Sequence, residues 1–169
     1  MIELKSISIL DKEMIECINL SITEEQSNFV ASNSYSLAES YDTNKKHTER
    51  GEKSCAAPYA AYKNGKMVGF VMIGYFYPGE NDDAAAYCGE PFYYIWRLLV
   101  DKEHQGKGFG KEILNLAMGK VMTKYLGGAN LCFSSYNPDN DASRKTFASY
   151  GFKEDGRIID GETVCQIGI

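Results

Sequence analysis

Residues 92–100, FYYIWRLLV, carry one charge, at Arg97, and lead within a few residues into HQGKGFGKEIL at 104–114. A strand this apolar belongs inside a sheet covered on both faces. The stretch after it sets glycines at 106, 108 and 110, then Ile113, Leu114, Leu116, Ala117, Val121 and Met122 at helical spacing. The spacing predicts a helix over roughly 108–125, stopped by Gly127-Gly128. The next apolar run is ANLCFSSY at 129–136. Strand, helix and strand in this order make a crossover, which joins neighbouring strands in parallel.

The rest of the chain must extend that unit. Residues 2–9, IELKSISI, alternate as a half-buried strand does, and Met14, Ile15 and Ile18 follow at helical spacing after Asp11. The segment 21–43 reads as one or two short helices, with Thr23 opening a capping box and Ser34 starting the second. NKKHTERGEKS at 44–54 reads as an exposed loop or a frayed helix end. Runs 57–63 and 67–77 flank Asn64-Gly65, the strongest short-range hairpin signal. Residues 78–91 read as a loop, 137–150 as a turn followed by a helix, and 151–169 as two strands around Asp160-Gly161. The order β-α-α-β-β-β-α-β-α-β-β is that of an α/β mixed sheet with helices on its faces.

A glycine turn between a strand and a helix aims backbone N–H groups and the positive end of the helix dipole at one point, the geometry of a phosphate site. Two common phosphate loops fail on spelling. A GxxxxGK[ST] loop fails because Gly110-Lys111 is followed by Glu112 and preceded, five residues back, by Gln105. A GxGxxG turn fails because Lys111 and Ile113 stand where its last glycine belongs. What fits is Q-x-x-G-x-G: Gln105, Gly108, Gly110.

On those residues the chain resembles the GNAT acetyltransferase superfamily, whose signature [Q/R]-x-x-G-x-[G/A] follows an apolar strand and opens a helix. RLLVDKEHQGKGFGKEIL matches it, and ASRKTFASYGF at 142–152 has the spacing of the family's later helix. EEQSNFVASNSYSLAESY and YYIWRLLVDKEHQGKGFGKEIL are similar to the bacterial spermine/spermidine branch. The resemblance implies a mixed, mostly antiparallel sheet of about six to seven strands with about four helices, spanning 1–169 as a single domain. It implies acetyl-CoA as co-substrate. Leu98, Leu99 and Val100 would pair with the pantetheine arm. Amides across Gln105, Gly106, Lys107, Gly108, Phe109 and Gly110 would hold the pyrophosphate, with Lys107 and Lys111 opposing its charge. Asn137, Asn140 and Ser143 would flank the rest of the cofactor.

Acetyl transfer to an amine needs a polarised carbonyl, a neutral nitrogen and a proton for the thiolate. The oxyanion donor is expected to be a backbone N–H of strand 92–100, at Leu99 or near it. The family's usual acid, a tyrosine four residues before the glycine of G-F, is replaced by Phe147, which leaves Tyr150 as the substitute. Where some members carry a glutamate base on the strand, this chain has Tyr94; Glu90 could act through water. The family's substrate lid corresponds to 21–43, where Glu25, Gln26, Phe29, Asn33 and Tyr41 are the candidate acceptor-binding residues.

Composition narrows the partners. The net charge of −5 disfavours nucleic acid and suits a cationic substrate. No apolar stretch approaches the roughly 20 residues of a membrane helix, and charges interrupt the first residues, so a cytoplasmic location without membrane contact is expected. The five cysteines are scattered and neither histidine has a partner at ligand spacing, so neither a disulfide framework nor a metal is expected. The expected partner is a small amine, a polyamine foremost. An amino acid, a protein amine or an antibiotic amine is the alternative acceptor, and a non-catalytic acyl-CoA-binding protein the alternative class. The sequence leaves oligomeric state, a homodimer included, open.

Overall fold

The computed structural model describes residues 1–8, 10–80 and 86–169. Ile9 of the expected first strand and residues 81–85 of the expected 78–91 loop lie outside them. The elements run β1 (Ile2–Ser6), α1 (Lys12–Ile18), a 3-10 turn (Glu25–Asn28), α2 (Asn33–Arg50), β2 (Cys55–Lys63), β3 (Lys66–Phe76), β4 (Phe92–Val100), α3 (Phe109–Val121), β5 (Leu131–Tyr136), α4 (Asp141–Tyr150), β6 (Lys153–Ile159) and β7 (Glu162–Gly168). The strands form one seven-stranded sheet in the order β1-β2-β3-β4-β5-β7-β6. Every neighbouring pair is antiparallel except β4–β5.

The hairpins follow from their turns. Asn64 (φ 51°) and Gly65 (φ 77°) are both left-handed, as are Asp160 (φ 51°) and Gly161 (φ 82°), which matches the strand twist in two-residue connections. The β3 strand is buried at every position after Lys66. On one face Val71 and Ile73 pack with the α3 stripe of Ile113, Leu114, Ala117, Met118 and Val121. On the other, Phe70 and Met72 meet Cys17 of α1 and Leu37 of α2. Each large side chain so buried contributes roughly 1.5–3 kcal/mol.

Three local expectations are narrowed or changed. Of the two readings of 44–54, the helix end holds for residues 44–50, which continue α2 as ordered helix. Lys46 pairs with Asp42 at 2.7 Å, and the Asn44 amide bonds both backbone groups of Ala56, so a polar sequence gains a tertiary anchor. The helix begins one residue after Ser32, whose hydroxyl accepts from the Tyr35 N–H at 3.2 Å; Ser34 is inside it. The α3 helix ends at Val121, before Gly127. Gly127 serves a close approach instead, since a Cβ there would stand 2.4 Å from the Tyr75 ring.

Candidate active site

The parallel β4–β5 pair holds for two residues only, Tyr93 opposite Cys132 and Tyr94 opposite Phe133. Beyond them the strands part. Ser134 donates its hydroxyl to the Ile95 carbonyl at 3.0 Å, closing the apex of the gap. Trp96 is the extra residue of a bulge, because Ile73 pairs with Ile95 while Met72 pairs with Arg97. Bulges re-aim a strand and are frequent beside active sites. The β4 backbone past the bulge therefore presents strand groups with no neighbouring strand.

Which groups face the gap follows from alternation along the ladder. The Asp101 N–H donates to the Val68 carbonyl at 3.0 Å, so Asp101, and Leu99 two residues earlier, turn their backbone toward β3. The Val100 carbonyl instead accepts from Gln105 Nε2 at 3.0 Å, on the gap side. Leu98 and Val100 thus offer their amides to the gap, and the expected oxyanion donor at Leu99 is committed to the sheet. The candidate moves one residue, to Leu98.

Two cavities open along the gap. The first, of about 290 Å³, is lined by Leu98, Leu99, Val100, Gln105, Gly106, Gly108, Phe109, Gly110 and Lys111, with Asn140, Ser143 and Thr146 of α4 opposite. Its floor is the start of α3. Gly108 stands at the N-cap with φ 79° and no side-chain cap, so the first-turn amides are left for a ligand. A Cβ at Gly106 or Gly108 would meet nothing within 4 Å, which leaves room over those amides. Lys107 lies outside this lining, its ammonium held by the Glu103 carbonyl at 2.8 Å. Asn137 lines neither cavity. Asn140 caps α4 by accepting from the Ser143 N–H at 3.1 Å.

The second cavity, of about 450 Å³, shares Phe29, Val30, Leu98, Asn140 and Ser143 with the first. Its walls are Tyr87, Tyr94, Trp96, Tyr136 and Phe147, with Arg97, Asp160 and Glu162 as charged groups. Arg97 is already paired with Glu39 at 2.9 Å, and burial pushes the Glu39 carboxyl up even with the guanidinium beside it. The uncompensated charge on this wall is therefore negative, beside aromatic rings, a setting that favours organic cations.

Tyr94 is buried in that wall. Its hydroxyl meets Ser135 Oγ at 2.6 Å and the Tyr87 hydroxyl at 3.1 Å, and Ser135 donates onward to Glu162. Burial holds the Tyr94 hydroxyl well above its ordinary pKa, so it stays protonated. Phe147 stacks on Tyr136 with rings 6.1 Å apart and brings no hydroxyl. Tyr150, the expected substitute acid, packs on Phe152 and lines neither cavity.

Of the lid residues, Phe29 alone among Glu25, Phe29, Asn33 and Tyr41 reaches the cavities. Glu25 and Tyr41 point to solvent because their helical positions face away from the sheet. Asn33 is buried and donates to the Cys17 carbonyl at 2.8 Å, which fixes α2 to α1. Gln26 is the lid residue that matters for the first cavity. It exchanges amide hydrogen bonds with Gln105, at 2.7 and 3.2 Å. Asp101 holds the lid's other end by accepting from the Ser21 N–H at 3.1 Å. Ser135 and Glu162 escaped sequence reading; the only signals were a polar pair ending an apolar strand and an acid just after a hairpin turn.

Other candidates fall away. Burial pushes the Cys17 and Cys165 thiols up to about 12, so they are inert. Asp101, Glu103 and His104 bring ligand-type atoms within 4.8 Å of one another, closer than their spacing suggested. The Asp101 oxygens there already accept from Ser21, Glu103 and His104. No described helix is long and apolar enough to cross a membrane.

Residues 15–152 match the model of the Acetyltransferase (GNAT) family. A spermine/spermidine N(1)-acetyltransferase of Bacillus subtilis (strain 168) is 27% identical over 113 residues, covering 63% of this chain and 66% of the relative. Among solved structures, aminoglycoside acetyltransferase AAC(6')-Ib in complex with coenzyme A superposes with a TM-score of 0.73 at 17% identity, over 99% of this chain and 95% of that one. PaiA N-acetyltransferase from Thermoplasma acidophilum in complex with coenzyme A gives 0.61 at 17% identity, over 100% and 99%. At these identities the structural likeness is one of fold.

Proposed function

This chain belongs to the acetyltransferase (GNAT) family, and we propose that it transfers the acetyl group of acetyl-CoA to a primary amine of a small cationic molecule, a polyamine foremost, by direct attack in a ternary complex. One observation carries the reading. The two cavities share Leu98 at the parting of β4 and β5, so a thioester lying in the first presents its carbonyl to the second.

The chain's own groups divide the work. Amides at the α3 N-terminus and the Lys111 ammonium take the pyrophosphate. The unpaired β4 edge at Leu98 and Val100 receives the amide-bearing pantetheine arm as a strand would. The Leu98 N–H is placed to donate to the developing oxyanion, where one such donor is worth roughly 10²–10³ in rate. Glu162 and the aromatic wall attract the ammonium form of the acceptor. An alkyl polyamine suits a wall of rings with acid at its rim. The curated polyamine acetyltransferase relative points the same way.

A second reading, a protein that binds acyl-CoA without catalysis, draws on Phe147, since no hydroxyl stands at the family's usual acid position. Thiol release separates the two. The protein mixed with acetyl-CoA and a panel of polyamines, amino acids and aminoglycosides is expected to release thiol fastest with spermidine or spermine. Release with aminoglycosides alone would overturn the polyamine assignment, and release with no amine would favour the binding protein.

A further inference from the structure

The directions of the hydrogen bonds beneath the second cavity are fixed by proton bookkeeping. A hydroxyl carries one proton. Ser135 gives its proton to Glu162, so the 2.6 Å bond between Tyr94 and Ser135 must be donated by Tyr94. Tyr94 has then spent its own proton, so Tyr87 donates the 3.1 Å bond to Tyr94. All three hydroxyls point the same way, from the cavity toward the carboxylate. The Tyr94 oxygen, in the lining of the cavity, keeps acceptor capacity beside the Tyr87 bond, while its own proton is aimed at Ser135.

We propose that Tyr94, Ser135 and Glu162 form a proton relay that deprotonates the acceptor's ammonium, with Glu162 as the terminal base. The inference rests on the acetyl-transfer reading and assigns the proton path that Phe147 and Tyr150 leave open. In the step, one ammonium N–H bond breaks and its proton goes to Tyr94 Oη. The proton of Tyr94 passes to Ser135, and that of Ser135 to the Glu162 carboxylate. The freed nitrogen lone pair forms the bond to the thioester carbon, the C–S bond breaks, and the departing sulfur takes the nitrogen's second proton. Glu162 returns its proton to water at the β6–β7 turn, where the neighbouring Asp160 is exposed.

The surroundings leave Glu162 free for this. Arg157, on β6, holds Asp155 at 2.6 Å and the Tyr87 carbonyl at 2.6 Å. Arg97, in the same cavity, holds Glu39. Asp160, two residues before Glu162, lines the same cavity and leaves the carboxylate without a cation of its own. The sheet register supplies the positions: β5–β7 pairing sets Ser135 opposite Val164, two residues along from Glu162. Tyr94 reaches the same place from β4, at the last residue before the strands part.

The relay is tested by the pH dependence of kcat/KM for spermidine in Glu162→Gln, Ser135→Ala and Tyr94→Phe, with acetyl-CoA affinity measured alongside. Without the relay the reaction must wait for amine deprotonated in solution, a fraction that rises tenfold per pH unit below the amine's pKa of about 10. All three variants are expected to lose roughly 100-fold at pH 7, the lower end for a general base, and to regain most of it by pH 9.5, with acetyl-CoA affinity unchanged. Ser135→Ala is the informative member, because it keeps both Tyr94 and the Glu162 charge. A loss that is the same at every pH, or one confined to KM, overturns the relay and leaves Glu162 a cation anchor. Variants equal to wild type overturn it as well. A wild-type protein that releases no thiol with any amine overturns the acetyl-transfer reading itself, and the relay with it.

Discussion

Replacing Gly108 by alanine adds one methyl group and separates backbone strain from ligand exclusion. Gly108 has φ 79°, a left-handed conformation that costs an alanine roughly 1–2 kcal/mol. In the free protein the new Cβ would meet nothing within 4 Å, so no clash adds to that strain. The expected loss of stability is therefore about 1–2 kcal/mol, or about 2–8 °C in Tm for a domain of this size. Cofactor binding should suffer far more, because the methyl occupies the space over the α3 amides. Losing two hydrogen bonds from those amides to a charged phosphate, at about 1.5–3 kcal/mol each, removes about 3–6 kcal/mol, a hundredfold to ten-thousandfold in Kd. Gly51→Ala is the matched control. Gly51 has φ 69°, also meets nothing within 4 Å, and ends α2 outside both cavities. Titration calorimetry with acetyl-CoA and thermal unfolding should show both variants destabilised alike and only Gly108→Ala unable to bind normally. Equal Kd values in the two would remove the phosphate cradle from α3. Gly108→Glu, which adds charge opposed to phosphate, should abolish binding altogether.

The remaining predictions follow from packing and charge. Phe147→Tyr fits a ring already stacked on Tyr136 and restores a hydroxyl to the acceptor cavity, so kcat should rise several-fold, whereas Tyr150→Phe should leave steady-state rates unchanged. Gly69→Ala would set a Cβ 2.5 Å from the Leu99 carbonyl oxygen and 2.7 Å from Ile113; denaturant unfolding should show a loss of at least about 2 kcal/mol. Burial pushes the Asp101 carboxyl up, but the Ser21 and Glu103 amides and His104 outweigh it and hold its pKa below the ordinary value. A depressed folded-state pKa means stability present above the unfolded value of about 3.9 and lost as pH falls through the folded one. Acid titration of Tm should therefore be shallower below pH 4 in Asp101→Asn than in wild type.

The strands and their succession along the chain were legible because they depend on local signals; the insertion of β7 between β5 and β6 was not. Asn64-Gly65 and Asp160-Gly161 demand tight turns, and the all-apolar β3 demands cover on both faces. The glycine turn at 106–110 was legible because a left-handed backbone, found at Gly106 (φ 72°) and Gly108 (φ 79°), favours glycine. What escaped depends on register and rotation. A bulge at Trp96 decides whether Leu98 or Leu99 turns its amide to the gap, and nothing in RLLV announces it. Tyr94, Ser135 and Glu162 meet across three strands, so no spacing within the chain reports them. The lid residues Glu25 and Tyr41 carry suitable chemistry on helical positions that face water, and the weakly amphipathic 21–43 sequence did not fix that rotation. Residues 44–50 read by composition as loop or frayed helix end, and Asn44, tied to β2, is what holds them as helix.

The most direct test is the backbone amide spectrum of the protein titrated with acetyl-CoA. Large shifts are expected at Leu98, Val100, Gly108, Phe109 and Gly110, with Leu99, whose amide is held in the β3 ladder, moving little. Shifts that single out Leu99, or that spare the start of α3 while other surfaces respond, would contradict a cofactor laid along the gap between β4 and β5.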